Sequence, residues 1–138
     1  MVSMADGLGS LRTITQHYDA VLAEKLESVA HGGNWNFAYR WMLMDFKREF
    51  PFDQIPALWE RIWAQFATSH FHVFVGLGML LVHQKKLMAI TDELDLQMYL
   101  KEMTMKTDLQ AVLREAIAAL DRRVDLEHTL RAYIMLSI

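Results

Sequence analysis

The sequence has no cysteine, and only two prolines and six glycines among its 138 residues. Without cysteine the chain offers neither a disulfide scaffold nor a thiolate metal site. The scarcity of proline and glycine argues against disorder, except in residues 1–9 at the N-terminus. Apolar residues make up 53% of the chain, which is enough to build one hydrophobic core. We therefore expect a flexible or disordered segment over residues 1–9 and a single domain over residues 10–138.

The chain also lacks a strong charge of either sign and a long hydrophobic run. A net charge of -3 gives no sign of a nucleic-acid partner. The longest apolar stretch, Phe71 to Val82, is interrupted by His72 and is shorter than the ~17–25 residues that a membrane span requires. It predicts a buried helix and no transmembrane segment. Residues 1–10 do not resemble a secretory signal. The lack of cysteine makes the cytosol the natural compartment, so we expect a cytoplasmic location.

Apolar residues recur at helical spacing in almost every part of the chain, and no strand-like alternation continues beyond four residues. Short connections favour antiparallel neighbours. We therefore predict an all-α fold of about six to seven antiparallel helices. Six of the predicted helices cover residues 11–29, 35–50, 53–66, 70–88, 91–103 and 107–124, and the residues that follow to 138 are also expected to be helical, with a change of phase near residue 125.

Polar residues at helix ends predict where several of these helices begin. Asp53 is expected to cap the third helix, whose first turn can accommodate Pro56. Thr91 or Asp92 is expected to start the fifth helix. Thr107 and Gln110 have the spacing of a capping box before the sixth helix.

Two glycines, Gly76 and Gly78, lie inside the predicted fourth helix. Each glycine costs about 1 kcal/mol relative to alanine in a helix. Close approach of a neighbouring helix is the simplest compensation for that cost. The run from Thr91 to Asp95 is acidic but lacks the pattern of a calcium loop, so a negatively charged helix start explains it best.

Histidine and methionine are residue types of this chain that could serve as metal ligands or as an apolar binding surface. His70 and His72 point about 200° apart on a helix and cannot share a metal, while His83 has no carboxylate at ligand spacing. Ordinary surface or core histidines are therefore expected, with no metal or cofactor. A methionine-rich groove for partner helices is one alternative. We favour core packing for the methionines at issue, which are Met42, Met44, Met79, Met98 and Met103.

A specific pattern of aromatic and charged residues lies between Trp35 and Trp63. Charges among large rings are expected to be paired, because an unpaired buried charge is costly. If residues 35–50 form one helix antiparallel to the next, Arg40 and Glu60 lie about 3 Å apart in height, so we expect them to pair. Asp45 and Glu49 are weaker candidates because neither shares the face of Arg40. We also expect Trp59 and Trp63 to be buried.

The segments Phe37-Ala38-Tyr39-Arg40-Trp41, Phe46-Lys47-Arg48-Glu49-Phe50 and Leu58-Trp59-Glu60 resemble the third hallmark region of the TBC family of Rab GTPase activators. Residues 17–33, 71–81 and 109–116 are similar to neighbouring helices of that family, so the resemblance covers about residues 10–121. It implies the C-terminal lobe of a TBC domain, with a structural role for the motif residues Arg40, Trp41, Lys47, Arg48, Glu49, Trp59 and Glu60.

The resemblance also implies a Rab-type small GTPase as partner, a role in vesicle traffic, and peripheral association with endomembranes through that GTPase. In the family, activity depends on two motifs that lie before this region. One is an isoleucine followed by aspartate and arginine at intervals of three, and the other is a tyrosine with glutamine two residues on. No isoleucine or tyrosine of this chain begins either motif. We therefore expect no catalytic residues here and a missing N-terminal lobe as a further partner.

Nothing in the chain reads as a self-contained enzyme site, since it has no phosphate loop, no nucleophile elbow and no cysteine nucleophile. The first interpretation is thus a lobe of a GTPase activator that is inactive as an activator on its own. A second is a catalytically silent helical interaction or scaffold module that binds a small GTPase or another partner. A third is an unrelated all-α domain.

Overall fold

The computed structural model describes the backbone of residues 4–30, 35–38, 40–41, 46, 48–64 and 71–136, with side chains for residues 11–30, 35–38, 40–41, 46, 48–58, 60 and 73–122. This part of the chain contains helices and no strand, which confirms the predicted all-α class. The helices are α1 (Met4–Tyr18), α2 (Ala20–Val29), α3 (Ile55–Ala64), α4 (Phe71–Val82), α5 (Gln84–Ala89), α6 (Glu93–Glu102) and α7 (Leu109–Leu136).

The predicted first helix is two helices that are separated by Asp19. The Asp19 carboxylate accepts a hydrogen bond from the backbone N–H of Leu22 at 3.0 Å and so caps α2. Helix α1 begins at Met4, so residues 4–9, for which flexibility was predicted, have helical backbone. The domain boundary at residue 10 stays a prediction.

The predicted continuous helix from Trp35 to Phe50 is wrong. A 3₁₀ turn covers Asn36–Ala38, and the chain turns again at Phe46. Phe46 has a φ of 64°, in the left-handed region that bulky residues rarely adopt, and its N–H donates to the carbonyl of Trp41 at 3.0 Å. A left-handed residue at this position is incompatible with a regular right-handed helix, so residues 35–50 do not form one continuous helix.

The predicted third and fourth helices differ from the structure at their ends. Asp53 lies inside the 3₁₀ turn Phe52–Gln54 and does not cap α3, whose first turn contains Pro56 as expected. The fourth helix is divided at His83 into α4 and α5. The expected burial of Trp59 and Trp63 concerns side chains outside the described residues.

Helices α4 and α7 form the centre of the core. All residues from Val73 to Leu80 are buried. A Cβ atom on Gly78 would overlap the backbone carbonyl oxygen of Val112 and lie 3.2 Å from its Cγ1. The predicted close approach of a neighbouring helix is therefore confirmed at Gly78, where the missing side chain lets α7 come against the backbone of α4.

Helix α1 is attached to the same core by a polar contact. The hydroxyl of Tyr18 donates to the carbonyl of Ala119 in α7 at 2.6 Å. The guanidinium carbon of Arg122 lies 5.3 Å from the centre of the Tyr18 ring. The ring is thus held between α1 and α7, and its hydroxyl satisfies a carbonyl far away in the sequence.

The last two helices begin at aspartates. Asp92 caps α6 by accepting from the N–H of Asp95 at 2.8 Å, as predicted. Before α7, the Asp108 carboxylate accepts from the N–H of Gln110 at 3.0 Å. The predicted capping box is wrong, because the hydroxyl of Thr107 is directed to His83 instead. Helix α7 continues past residue 125 without a break.

The methionines have unequal environments. Met79 is buried and Met103 is half-buried, but Met98 is 60% exposed, so the prediction that it fills the core is wrong. Met98 lies on the outer face of α6. Met42 and Met44 fall outside the described residues.

None of the helices in the described ranges combines the length and the apolar character needed to cross a lipid bilayer.

Candidate functional site

Arg40 and Glu49 form the centre of the aromatic and charged cluster. The Nε of Arg40 donates to one carboxylate oxygen of Glu49 at 2.8 Å, and Nη2 donates to the other at 2.9 Å. This two-point geometry is the strongest arrangement that arginine makes with a carboxylate. Glu49 is 2% exposed, so its charge is held in the protein interior by this pair.

The two residues meet because the chain turns between them. In a continuous helix, nine residues would separate them by about 13 Å along the axis and place them on opposite faces. The turn at Phe46 brings Glu49 back toward Arg40, and the N–H of Glu49 donates to the carbonyl of Phe46 at 3.0 Å. The predicted pair of Arg40 with Glu60 is therefore wrong. Glu60 is exposed on α3.

Two further groups complete the hydrogen bonding of the pair. The indole Nε1 of Trp41 donates to Glu49 at 3.2 Å, and Nη2 of Arg40 also donates to the hydroxyl of Thr104 at 2.8 Å. The backbone carbonyl of Glu49 accepts from the N–H of Met105 at 3.0 Å. These bonds fix the segment around Arg40 to the loop between α6 and α7.

The contacts from that loop were missed by sequence reasoning. Thr104 is 64 residues from Arg40, and no periodicity relates the two positions. Met105 has a φ of 69°, which is a left-handed conformation. Glycine or asparagine at this position would have indicated that conformation in the sequence, but methionine does not.

The electrostatics of the cluster follow from the same hydrogen bonds. Bonding to Glu49 raises the pKa of Arg40, and partial burial opposes that effect without overcoming it. Arg40 is therefore a permanent cation whose charge is offset by its neighbour. Arg40 can stabilise the segments that it joins through hydrogen bonds, but it cannot act as a general acid, because it does not release its proton.

The other four residues of the predicted motif are either not part of this cluster or fall outside the described residues. Arg48 and Glu60 are exposed. Lys47 and the side chain of Trp59 fall outside the described residues. Of the seven motif residues, the structure thus brings together Arg40, Trp41 and Glu49, and the structural role of the whole set stays a prediction.

A second polar cluster surrounds His83, at the junction of α4 and α5. Its Nδ1 lies 2.7 Å from the hydroxyl of Tyr99 in α6, and its Nε2 lies 2.9 Å from the hydroxyl of Thr107. Burial lowers the pKa of His83. Burial, followed by the charge of Glu102, raises the pKa of Tyr99. His83 is a core histidine, and the described side chains contain no group of three that could hold a metal ion.

The Rab-GTPase-TBC domain model matches residues 3–88, which is more than half of the chain. The chain belongs to the TBC domain family. The described helices and the Arg40–Glu49 cluster are therefore features of a TBC domain segment.

Relatives of this TBC segment span most of its length. TBC1 domain family member 17 of Homo sapiens is 32% identical over 117 residues, covering 84% of this chain and 18% of the relative. Small G protein signaling modulator 2 of Mus musculus is 29% identical over 83% of this chain and 12% of the relative. Rab GTPase-activating protein tbc-8 of Caenorhabditis elegans is 29% identical over 82% of this chain and 13% of the relative. The chain thus spans less than a fifth of the length of these relatives.

Proposed function

We propose that this chain is the C-terminal lobe of a Rab GTPase-activating domain and acts in a protein that regulates vesicle traffic. The match of residues 3–88 to the Rab-GTPase-TBC domain carries this proposal. Similarity to Rab GTPase-activating protein tbc-8 supports a Rab-type GTPase as partner. The protein would then work in the cytoplasm and reach endomembranes peripherally, through the GTPase.

The lobe serves as a scaffold, and the catalytic groups come from elsewhere. GTP hydrolysis by a GTPase becomes about 10³–10⁵-fold faster when a partner protein supplies an arginine to the transition state. The arginine and glutamine motifs of the family are missing from these 138 residues. Arg40 is not the arginine of the missing motif, because the positions three and six residues before it hold Phe37 and Asn34 in place of the aspartate and the isoleucine.

The alternative is a catalytically silent interaction module that binds a small GTPase or another partner. The same absence of both motifs favours it. The two proposals differ in what happens when a catalytic lobe is supplied in front of the chain.

The first experiment measures single-turnover GTP hydrolysis by a panel of GTP-loaded Rab proteins. The chain alone should leave hydrolysis at its intrinsic rate, with Rab GTPase-activating protein tbc-8 of Caenorhabditis elegans as positive control. Acceleration above about tenfold by the chain alone contradicts the proposal, since that would require a catalytic group which we do not assign.

The second experiment joins the first half of an active TBC domain, chosen because it contains both motifs, to this chain. A lobe of an activator should restore acceleration by about 10³-fold or more, and alanine at the motif arginine should abolish it. A folded chimera that binds a Rab without accelerating hydrolysis would support the silent module instead.

A further inference from the structure

A groove lies beside the Arg40–Glu49 pair, between the segment around Trp41 and helix α6. Its volume is about 300 Å³, at the lower end of the range for small ligand sites. Trp41 and Leu100 are buried beneath it, and Phe37 is half-buried. The described residues that line the groove are Asn36, Phe37, Arg40, Trp41, Gln97, Leu100 and Lys101.

The guanidinium of Arg40 is held in one orientation at this groove. Its Nε and Nη2 donate to Glu49 and Thr104, whereas Nη1 donates no hydrogen bond to any residue that the structure describes. Arginine carries five N–H donors in a rigid plane, so fixing one edge also fixes the other. The Arg40 side chain is 40% exposed. A ligand would therefore meet donors that need no further ordering.

The described residues that line the groove carry positive charge. They include two cations, Arg40 and Lys101, and no carboxylate. Glu49, which does not line the groove, offsets the charge of Arg40. Lys101 therefore supplies the net positive charge of the groove, and Arg40 supplies N–H donors of fixed orientation. The other polar groups of the lining, Asn36 and Gln97, are neutral amides. This combination suits a carboxylate above an apolar floor.

The apolar surface extends beyond the groove along α6. Leu94 is 65% exposed and Met98 is 60% exposed. Leu94 precedes Gln97 by three residues and Lys101 by seven, and Met98 precedes Lys101 by three, so all four lie on one side of the helix. A helix side with this mixture offers apolar contact next to a positive charge.

We propose that this groove binds an acidic peptide segment of a partner protein. A glutamate or aspartate of that segment lies between Arg40 and Lys101, and a neighbouring aliphatic side chain packs on Phe37 and Leu100. The next aliphatic residue of the peptide contacts the exposed side of α6. The site goes beyond GTPase activation, because it requires neither the catalytic motifs nor a nucleotide.

The test uses the 138-residue chain and two short probes, acetyl-Gly-Leu-Glu-Glu-Leu-Gly-amide and its glutamine counterpart. Amide and indole NMR resonances are followed during titration. The acidic probe should bind with a Kd below about 1 mM and shift resonances of residues 36–41 and 97–101, including the Trp41 indole. The glutamine probe should bind at least about fivefold more weakly. Raising the salt from about 0.05 M to about 0.5 M should weaken only the acidic probe.

Two matched variants place the site on the molecule. Lys101→Gln should weaken binding of the acidic probe by about three- to tenfold. Lys85→Gln, at an exposed position of α5 that does not line the groove, should leave that binding unchanged. Both positions are exposed, so thermal melts should coincide with the parent. Failure of the acidic probe to bind, equal binding of both probes, or an equal effect of the two variants overturns the proposal. None of these results depends on Rab hydrolysis, which is measured separately.

Discussion

Arg40 and Glu49 form an ion pair whose two partners differ in exposure, with 40% of the Arg40 side chain accessible and only 3% of the Glu49 side chain. The pair is therefore asymmetric. Solvent can reach Arg40 if Glu49 is changed, but it cannot easily reach the carboxylate if Arg40 is changed. The consequences of removing either partner should differ for this reason.

Arg40→Met should destabilise the chain by about 3–5 kcal/mol, because it leaves a buried carboxylate without its cation. Glu49→Gln should cost less, about 1–3 kcal/mol, because the amide oxygen still accepts a hydrogen bond and Arg40 remains partly hydrated. Urea unfolding followed by tryptophan fluorescence measures both. A larger loss for Glu49→Gln than for Arg40→Met would contradict the asymmetry.

The control is a second arginine–glutamate pair in the same chain. Arg12 contacts Glu27, with side-chain exposures of 45% and 25%. Since both partners are accessible, Arg12→Met should cost less than about 1 kcal/mol.

Gly78→Ala tests the contact between α4 and α7. Alanine normally stabilises a helix relative to glycine by about 0.5–1 kcal/mol. Here the new Cβ would overlap the carbonyl oxygen of Val112, a backbone atom that cannot move aside alone. We expect a net loss of about 1–3 kcal/mol in urea unfolding. Ala118→Gly, at an exposed position of α7, is the comparison. It measures the difference in stability between alanine and glycine in a helix where no neighbouring helix is in the way. A gain in stability for Gly78→Ala would show that the helices are further apart.

His83 should make stability depend on pH. Burial lowers its folded-state pKa below the ordinary 6.5. Below about pH 6.5 the unfolded chain therefore takes up this proton more readily than the folded chain. Stability should fall as the pH decreases from about 7.5, until the pH reaches the folded-state pKa.

The measurement compares urea midpoints at about pH 7.5 and about pH 5.5 for the parent and for His83→Gln. The variant should be less stable at the higher pH, because it disturbs the contacts to Tyr99 and Thr107. It should also lose less stability on acidification. Equal losses in the two proteins would mean that His83 does not contribute to the pH dependence.

Tyr18→Phe removes the hydroxyl that donates to Ala119 and retains the ring beneath Arg122. The expected loss is about 0.5–1.5 kcal/mol, typical of one hydrogen bond. Ser28→Ala removes an exposed local bond to Lys25 and should change stability by less than about 0.5 kcal/mol. The two variants are compared by thermal unfolding. Equal effects would indicate that α1 is not anchored to α7 through this group.

Much of the fold was readable from local pattern. Apolar spacing predicted the all-α class, and Asp92 and Pro56 were placed correctly at helix starts. The breaks at Asp19 and His83 were missed. Asp19 did carry a signal, since aspartate is a preferred cap, but the apolar stripe continues across it and concealed the interruption.

The candidate site was predictable in composition but not in pairing. Aromatic and charged residues at close spacing indicated that Arg40 would be paired, and the structure provides Glu49 as the partner. The predicted partner, Glu60, followed from the assumption of a continuous helix. That assumption fails because Phe46 has a left-handed backbone conformation. Phenylalanine rarely adopts this conformation, so the residue type gave no indication of it.

The sequence by itself determined the helical class, the TBC resemblance and the lack of both catalytic motifs, because these depend on residue types at short, fixed spacings. Only the tertiary structure decided that Arg40 bonds to Glu49 and Thr104, that Gly78 lies against Val112, and that His83 lies between Tyr99 and Thr107. These contacts join positions across chain reversals. Local periodicity carries no information about which distant groups a reversal brings together, so packing and hydrogen-bond satisfaction in the folded core select the partners.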